Sequence, residues 1–436
     1  MDVPAPDRRR TEPAASRLVA GIDHLTGLAD RGGFMAVLEE TLALDGPEEP
    51  VLLLLDLDRF KAVNDAHGHP AGDALLISAG GRIRAAVRRG DVVGRLGGDE
   101  FAVLLRPSAT AQEARRIAER LVDLLGRPFL VDGRVAQVGA SVGLARAMAD
   151  AWSSAQLMKR ADLALYAAKA RGRGRVADFE PALQQAAEER MALETELRAA
   201  LPLGQFELHY QPLLDLRSQN IIGFEALLRW RNPKRGLMAP GRFLPLAEEI
   251  NLMPAIGAWV LRQACRDAMT WPEGMRVSVN AAPSQLVDGG LPGIVRAALA
   301  ESGLPGARLE IEVTEHALID ALARDVPAQF SALAAMGVDM ALDDFGSGYA
   351  SLAQLGNFRF QRMKIDRSFA TDARMLDAAL GVGRALGLHT TAEGIEDPAQ
   401  LDAAINQGCE IGQGYLIGRP MAPAAMRAFL AERTNR

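Results

Sequence analysis

Eight short apolar runs that alternate with stretches of helical spacing fill the sequence from Leu203 to the end, and few folds accept that rhythm. The runs are Phe206–Leu213, Phe224–Trp230, Arg276–Ala281, Leu309–Thr314, Asp339–Asp344, Arg362–Asp366, His389–Glu393 and Glu410–Ile417. Strand–helix units repeated over about 230 residues predict a (β/α)8 barrel, whose reactive groups gather at the C-terminal ends of its strands. Polar side chains fall near those ends: Glu225, Asn280, Glu312, Asp343, Asp344, Lys364, Glu393 and Gln413. Any one of them reads equally as a helix cap or a loop turn, but eight on seven successive strands do not.

The first part of the chain has a different rhythm. Residues 1–20 are rich in Pro, Arg and Ala and read as a disordered tail, too short for a folded sensor domain. From 21 to 180, helices alternate with strands and a hairpin, which predicts an α+β domain. Val51–Asp58 reads as a central strand, Asp73–Arg89, Thr110–Leu125 and Ser153–Ala170 as helices, and Val135–Leu144 as a strand. Asp91–Leu96 and Asp99–Leu105 are separated by Gly97-Gly98, a two-residue hairpin signal. Residues 181–202 read as a connecting helix that spaces this domain from the one at 203–436.

Composition narrows the class. With 436 residues and 49% of them hydrophobic, the chain can bury real cores in two or three domains. The most apolar run, Val51–Leu55, stops at Asp56, far short of the ~20 residues a membrane span needs. No apolar stretch follows the basic N-terminus as in a signal peptide. Two cysteines, Cys265 and Cys409, make no disulfide framework, so a cytoplasmic protein is expected. A net charge of −6 argues against duplex nucleic acid as the main ligand, but not against a small phosphorylated one.

In the first domain Asp56 and Asp58 end an apolar strand, and Asp99 and Glu100 follow the glycine pair. If hairpin and strand are neighbours, these carboxylates converge and must take up protons or hold cations, with Mg²⁺ suited to hard oxygen ligands. Taken alone, the hairpin acids read equally as a solvated pair. The whole set is more specific: Asp23 to Arg31 (DHLTGLADR), Asp56 to Asp65 (DLDRFKAVND), Gly68 to Asp73 (GHPAGD) and Arg95 to Phe101 (RLGGDEF). It resembles the GGDEF family of diguanylate cyclases. The resemblance implies an α+β nucleotide-cyclase-like palm that condenses two GTP into cyclic di-GMP as a homodimer with facing half-sites. It implies that Asp56, the Leu57 carbonyl and Asp99 hold Mg²⁺, and that Asp99, flanked by Glu100, is the catalytic base. Asn64 and Asp73 then meet the guanine edge and Lys61 the triphosphate. Arg88 and Asp91 match the family's product-inhibition site, although by themselves they read as an ordinary helix end.

The second domain carries eight segments in one order: Tyr210–Pro212 (YQP), Glu225–Trp230 (EALLRW), Val279-Asn280, Glu312–Glu315 (EVTE), Asp343–Tyr349 (DDFGSGY), Lys364–Asp366 (KID), Glu393–Glu396 (EGIE) and Gln413–Tyr415 (QGY), with the EAL triplet at Glu225 naming the set. Together they resemble the EAL family of cyclic di-GMP phosphodiesterases. This implies an α/β TIM-like (β/α)8 barrel with an antiparallel first strand, hydrolysing cyclic di-GMP to pGpG with two Mg²⁺ or Mn²⁺ ions. Glu225, Asn280, Glu312 and Asp343 would hold one ion, and Asp343, Asp344 and Glu393 the other. Lys364 would lie near the attacking water, with Glu393 as general base and Gln413 in support. Gln211 and Arg229 would contact substrate, and Glu315 would hold the loop after Asp344. The loop sequence FGSGYA and the Ala281-Ala282 pair after Asn280 depart from the family's usual residues. Five carboxylates around one lysine call for counter-charge on physical grounds too.

Three functions fit these residues. The first is a bifunctional cyclase and phosphodiesterase. The second is a phosphodiesterase regulated by GTP binding to the first domain. The third is a non-enzymatic cyclic di-GMP receptor, disfavoured because a receptor needs neither metal cage. The sequence names no upstream sensor or partner protein.

Overall fold

The computed structural model describes residues 21–43, 50–105, 110–131, 133–147, 153–287, 289–315, 317–318, 326–346 and 358–434. The expected tail at 1–20 and the loop residues 347–350 lie outside the described residues. The chain divides into two compact units, Met1–Met191 and Ala192–Arg436. The division falls within a helix, Pro181–Ala200, rather than at either end of it.

In the first unit the strands are β1 (Val51–Asp58), β2 (Val92–Gly97), β3 (Glu100–Leu105), β4 (Phe129–Val131), β5 (Arg134–Ala136), β6 (Gly139–Arg146) and β7 (Val176–Asp178). The helices are α1 (Arg31–Leu42), α2 (Phe60–His67), α3 (His69–Ala86), α4 (Ala111–Gly126), α5 (Ser154–Ala170) and α6 (Pro181–Ala200). Five strands form one sheet in the order β2–β3–β1–β6–β7, with β1 antiparallel to both neighbours. Because side chains alternate along a strand, β1 feeds two cores. Leu53, Leu55 and Leu57 pack with Leu75, Ile83 and Leu121, whereas Leu52 and Leu54 meet Phe34, Leu38, Leu157 and Leu165. Burial on both faces explains the unbroken apolar run at 51–55.

Asp56 and Asp58 continue the face of Leu52 and Leu54. Asp58 is buried and accepts hydrogen bonds from Ser141 Oγ (2.9 Å) and Gly174 N (3.0 Å), joining β1 to β6 and to the turn after α5. Removing this carboxylate strands two donors, so Asp58→Ala is expected to destabilise the unit by about 2–3 kcal/mol, read as a lower urea midpoint.

Two expectations shift in detail. The hairpin turn is Gly98-Asp99, not Gly97-Gly98: Gly97 pairs with Glu100 after a slip of register from Arg95, with φ of 148° at Gly97 and 52° at Gly98. The glycines absorb the bulge and the turn, and Asp99 is carried to the apex. The run Val135–Leu144 is split, its start forming a separate β4–β5 hairpin.

In the second unit β8 (Phe206–Asp215), β9 (Ile221–Asn232), β11 (Arg276–Asn280), β12 (Leu309–Thr314), β13 (Asp339–Phe345), β14 (Arg362–Ile365), β15 (His389–Ala392) and β16 (Ile411–Gly412) close an eight-stranded barrel. The closing strand β8 is antiparallel to β9 and β16, and β9 through β16 run parallel, apart from β10 (Gly236–Met238), a short strand added antiparallel to β9. The last expected strand, Glu410–Ile417, survives only as Ile411–Gly412. At Gly414 the backbone crosses that of Ile395, and a side-chain carbon there would lie 2.1 Å from the Ile395 carbonyl.

The C-terminal end of α6 belongs to this unit through Leu197 and Ala200, both in the barrel core. Near them Glu196 accepts from Asn232 Nδ2 (2.9 Å) and Arg235 Nε (2.9 Å) and pairs with Lys234 Nζ (3.2 Å) on the β9–β10 turn. Burial pushes its carboxyl up, but these bonds outweigh burial and hold it down at about 2 against an ordinary 4.5. A depressed folded value stabilises the protein above the unfolded value and is lost as pH falls through the folded one. Glu196→Gln is therefore expected to cost about 2 kcal/mol at pH 7, with the difference from wild type closing between pH 4.5 and pH 2. Urea titrations at stepped pH measure it.

Candidate active sites

The barrel site is assembled by register. Parallel pairing puts Ser278 beside Glu225, Asn280 beside Glu312, and Thr314 beside Asp343, so the C-terminal ends of neighbouring strands lie together. Lys364 rises from β14 into their midst. Its Nζ lies 2.7 Å from Glu312, 2.7 Å from Glu393, 3.0 Å from Asp343 and 3.5 Å from Glu225. Glu225 also accepts from Asn280 Nδ2 at 2.7 Å and Gln413 Nε2 at 2.5 Å, and Gln413 donates in turn to Gln211 at 3.3 Å.

Asp343 and Asp344 need a local device, because consecutive side chains on a regular strand point to opposite faces. The register of β13 against β14 slips between Leu342 and Phe345, and Asp344 takes φ of 55°. A left-handed backbone costs a non-glycine residue about 1–2 kcal/mol. It brings oxygens of Asp343, Asp344 and Glu393 within 4.8 Å of one another.

Five carboxylates thus surround a single ammonium. Burial, then Glu225, pushes Glu312 well above the usual carboxylate range. Burial also lifts Glu393 to about 8, the pull of Lys364 being offset by Asp343 and Glu225, and it raises Asp344 with help from Asp343. For Glu225 burial is outweighed by Lys364, Gln413 and Asn280, so its carboxyl is lowered. Burial would strip Lys364 of its proton, but Asp343, Glu225, Glu312 and Glu393 hold its pKa well above the ordinary value. Glu312 Oε1 and Gln413 Oε1 are buried without a hydrogen-bond partner. A buried acceptor left open amid excess negative charge is the environment of a cation ligand.

The cleft above these groups, of 310 Å³, is also lined by Arg367, Glu396 and Tyr415. Arg367 and Glu396 pair across its rim at 2.9 Å, and Arg419 stacks 4.4 Å over the Tyr415 ring. Glu396 and Tyr415 lie inside recognisable segments without suggesting a role by themselves, and Arg367 follows Asp366 directly. Arg229 is half-buried beyond Glu225 on β9, opposite Glu207, and burial lowers its pKa. Glu315 is buried just past β12.

In the first unit Asp56 and Asp99 come together. Leu57 N donates to the Asp99 carbonyl at 3.3 Å, and burial followed by the Asp56 charge raises the Asp99 carboxyl. Glu100 is exposed and pairs with Asp56 across the strands. Lys169 of α5 binds Asp56 at 2.6 Å. Arg95 fixes the turn, donating to the Gly98 carbonyl at 2.8 Å and to Asp23 at 3.1 Å. Sequence reasoning missed Lys169, a single lysine in the last turn of an amphipathic helix, because only packing of α5 on β1 reveals its reach.

Asn64 on α2 lies against Gly72, the residue before Asp73, so closely that a side-chain carbon at Gly72 would sit 1.9 Å from Asn64 Oδ1. That oxygen is buried and has no partner. Asp73 and Lys61 are exposed. Arg88 and Asp91 form a turn in which the Asp91 carboxylate accepts from Arg88 N at 2.9 Å, while the Arg88 guanidinium is exposed, 3.4 Å from Glu113.

A palm-type sheet with an acid pair at one end, followed in the chain by a closed barrel with carboxylates at its mouth, defines a two-domain protein with a candidate cation site in each domain. Residues 20–175 match the diguanylate cyclase GGDEF domain and residues 194–420 the EAL domain, so the chain belongs to the EAL family and carries both domains in tandem. It is 40% identical over 425 residues to the bifunctional diguanylate cyclase/cyclic di-GMP phosphodiesterase MucR of Pseudomonas aeruginosa, covering 94% of this chain and 61% of that protein. It is 40% identical over 431 residues to the cyclic di-GMP phosphodiesterase NbdA of the same species, covering 96% of this chain and 55% of that one. The chain thus spans a little over half the length of these relatives. The solved PaMucR phosphodiesterase in complex with c-di-GMP matches 54% of this chain and 99% of its own, with 40% identity and a TM-score of 0.51. Among the described residues no helix is long and apolar enough to cross a membrane.

Proposed function

We propose that the barrel hydrolyses cyclic di-GMP to linear pGpG, and that the palm domain condenses two GTP into cyclic di-GMP in a homodimer. The observation that carries the first reading is the burial of Lys364 among four carboxylates with Glu312 Oε1 left open. Glu225, Asn280, Glu312 and Asp343 are suited to one divalent cation, Mg²⁺ or Mn²⁺, and Asp343, Asp344 and Glu393 to a second. Such ions, when bound, supply positive charge to the phosphodiester and make a nucleophile of water near neutral pH. Glu393 takes the proton from the attacking water, beside Lys364. Gln413 and Gln211 hold Glu225 in place, Arg229 grips the far phosphate with its guanidinium fork, and Glu315 anchors the loop that follows Asp344.

In the palm, Asp56, the Leu57 carbonyl and Asp99 are suited to Mg²⁺, and the raised Asp99 carboxyl is suited to take the proton of a 3′-hydroxyl, with Glu100 beside it. Lys61 and Lys169 bring positive charge to the triphosphate. The open Asn64 oxygen accepts from guanine while Asp73 accepts from its other N–H groups. Arg88 and Asp91 form a product-binding turn.

Hydrolysis is tested by incubating the chain with cyclic di-GMP and Mg²⁺ and separating the products. Release of pGpG that EDTA stops is expected, whereas cyclic di-GMP left intact with Mg²⁺ and with Mn²⁺ overturns the reading. The relatives divide on the palm, MucR being named for both activities and NbdA for hydrolysis alone. That division favours, as a second reading, a phosphodiesterase whose palm binds GTP only to regulate it.

A further inference from the structure

We propose that a cleft in the first unit, at the opposite end of the sheet from Asp56, binds a nucleoside polyphosphate without a metal ion. On β1 the register opposes Asp56 to Ser141 and Val51 to Arg146, which separates the two ends by five residues, about 17 Å. The cleft has a volume of 630 Å³ and is lined by Arg115 of α4, Leu144 and Arg146 of β6, Arg160 of α5, Asp178 and Phe179.

Its charge runs against that of the chain. The protein carries a net −6, yet three arginines and one aspartate line the cleft among the described residues. Arg115 is held by that aspartate and by Glu119 at 3.0 Å, which leaves Arg146 and Arg160 as the other cations of the lining. Arg146 is half-buried and has no hydrogen-bond or acidic partner among the described residues. A guanidinium withdrawn from water without a counter-charge is costly, and its planar fork fits phosphate oxygens two at a time.

The floor supplies the other half of the ligand. Leu144 is buried beneath, and Phe179 is half-buried with the Arg160 guanidinium 4.7 Å from its ring centroid. An aromatic face backed by a cation is a stacking platform for a planar base. Among the described residues the one carboxylate lining the cleft is committed to Arg115, and no divalent-cation cluster gathers there. Arg146 and Arg160 bind the phosphates, Arg115 stays with Asp178 and Glu119, and Phe179 takes the base.

Calorimetry on the full chain in EDTA tests this, because the acidic clusters at the other sites then have no cation with which to hold phosphates. The probes are ATP, which lacks the guanine edge, and inorganic pyrophosphate. One ATP per chain is expected, bound at least about threefold more tightly than pyrophosphate. Arg146→Ala/Arg160→Ala should weaken both probes at least about tenfold, with melting temperature and cyclic di-GMP hydrolysis unchanged. If that double variant melts early, Phe179→Leu serves instead and should erase the preference for ATP over pyrophosphate. Absence of binding at millimolar probe, or binding unaltered in the arginine variant, overturns the proposal. Equal affinity for the two probes in wild type overturns its nucleoside part.

Discussion

Glu312→Gln is expected to abolish cyclic di-GMP hydrolysis, by about 10³-fold or more, while making the metal-free protein more stable. Both effects come from one charge. In the wild type Glu312 is buried within reach of Glu225 and Asp343, and Lys364 is the one cation at hand among the described residues. Like charges about 4 Å apart repel by about 1 kcal/mol in water and about 4 kcal/mol at the effective dielectric of a protein. Glutamine keeps the shape and can still accept from Lys364, but it removes the charge. The sign of the pH dependence follows. A carboxyl whose folded pKa is raised favours the folded state fully below its unfolded value of 4.5 and loses that contribution as pH rises toward the folded value. The metal-free wild type should therefore lose stability above pH 4.5 relative to Glu312→Gln, and the gap between the two should widen with pH. Added Mn²⁺ should raise the melting temperature of the wild type and do less for the variant, since it binds the folded form alone. Thermal melts at stepped pH, with and without Mn²⁺, measure all three trends. A variant that melts below the metal-free wild type at pH 8 contradicts the charge argument.

Asp99→Ala is expected to eliminate conversion of GTP to cyclic di-GMP, again by about 10³-fold or more, and to leave hydrolysis within about twofold of wild type. Asp99 sits at the tip of a two-residue turn, beside Asp56 and exposed to its charge. Removing it takes away the proposed cation ligand and proton acceptor without opening a cavity, so the fold should survive. Nucleotide products of wild type and variant, followed separately from GTP and from cyclic di-GMP, decide the matter. Wild type that makes no cyclic di-GMP but hydrolyses it faster when GTP is added, with Asp99→Ala blind to GTP, selects the regulatory reading of the palm. Loss of hydrolysis in Asp99→Ala contradicts the assignment of two independent sites.

The sequence revealed the parts of this protein that depend on repetition and order. The barrel rhythm, the central strand at Val51–Asp58 and the gathering of carboxylates at the C-terminal ends of the barrel strands were legible because alternation, burial and motif spacing are local properties. The choice of hairpin turn was not, because Gly97-Gly98 satisfies a turn equally well one residue earlier, and only the register of β2 on β3 carries Asp99 to the apex. Nor was the means by which adjacent Asp343 and Asp344 share one site, since that rests on a slipped register and a left-handed aspartate. Lys169 against Asp56, Asp58 against Ser141 and Arg367 against Glu396 join residues far apart in the chain. Nothing in their own neighbourhoods announces those partners. Asp58 is the instructive case: it stands two residues from Asp56 on the same face of one strand, yet its carboxylate is consumed by the fold.

The central claim is that acidic side chains from separate strands gather to hold divalent cations, with Asp343 common to both in the barrel. Counting Mn²⁺ bound per chain in the presence of cyclic di-GMP, for wild type and for Asp343→Asn, tests it most directly. The variant should bind two fewer ions than wild type and keep those of the palm. An unchanged count in folded Asp343→Asn would contradict it.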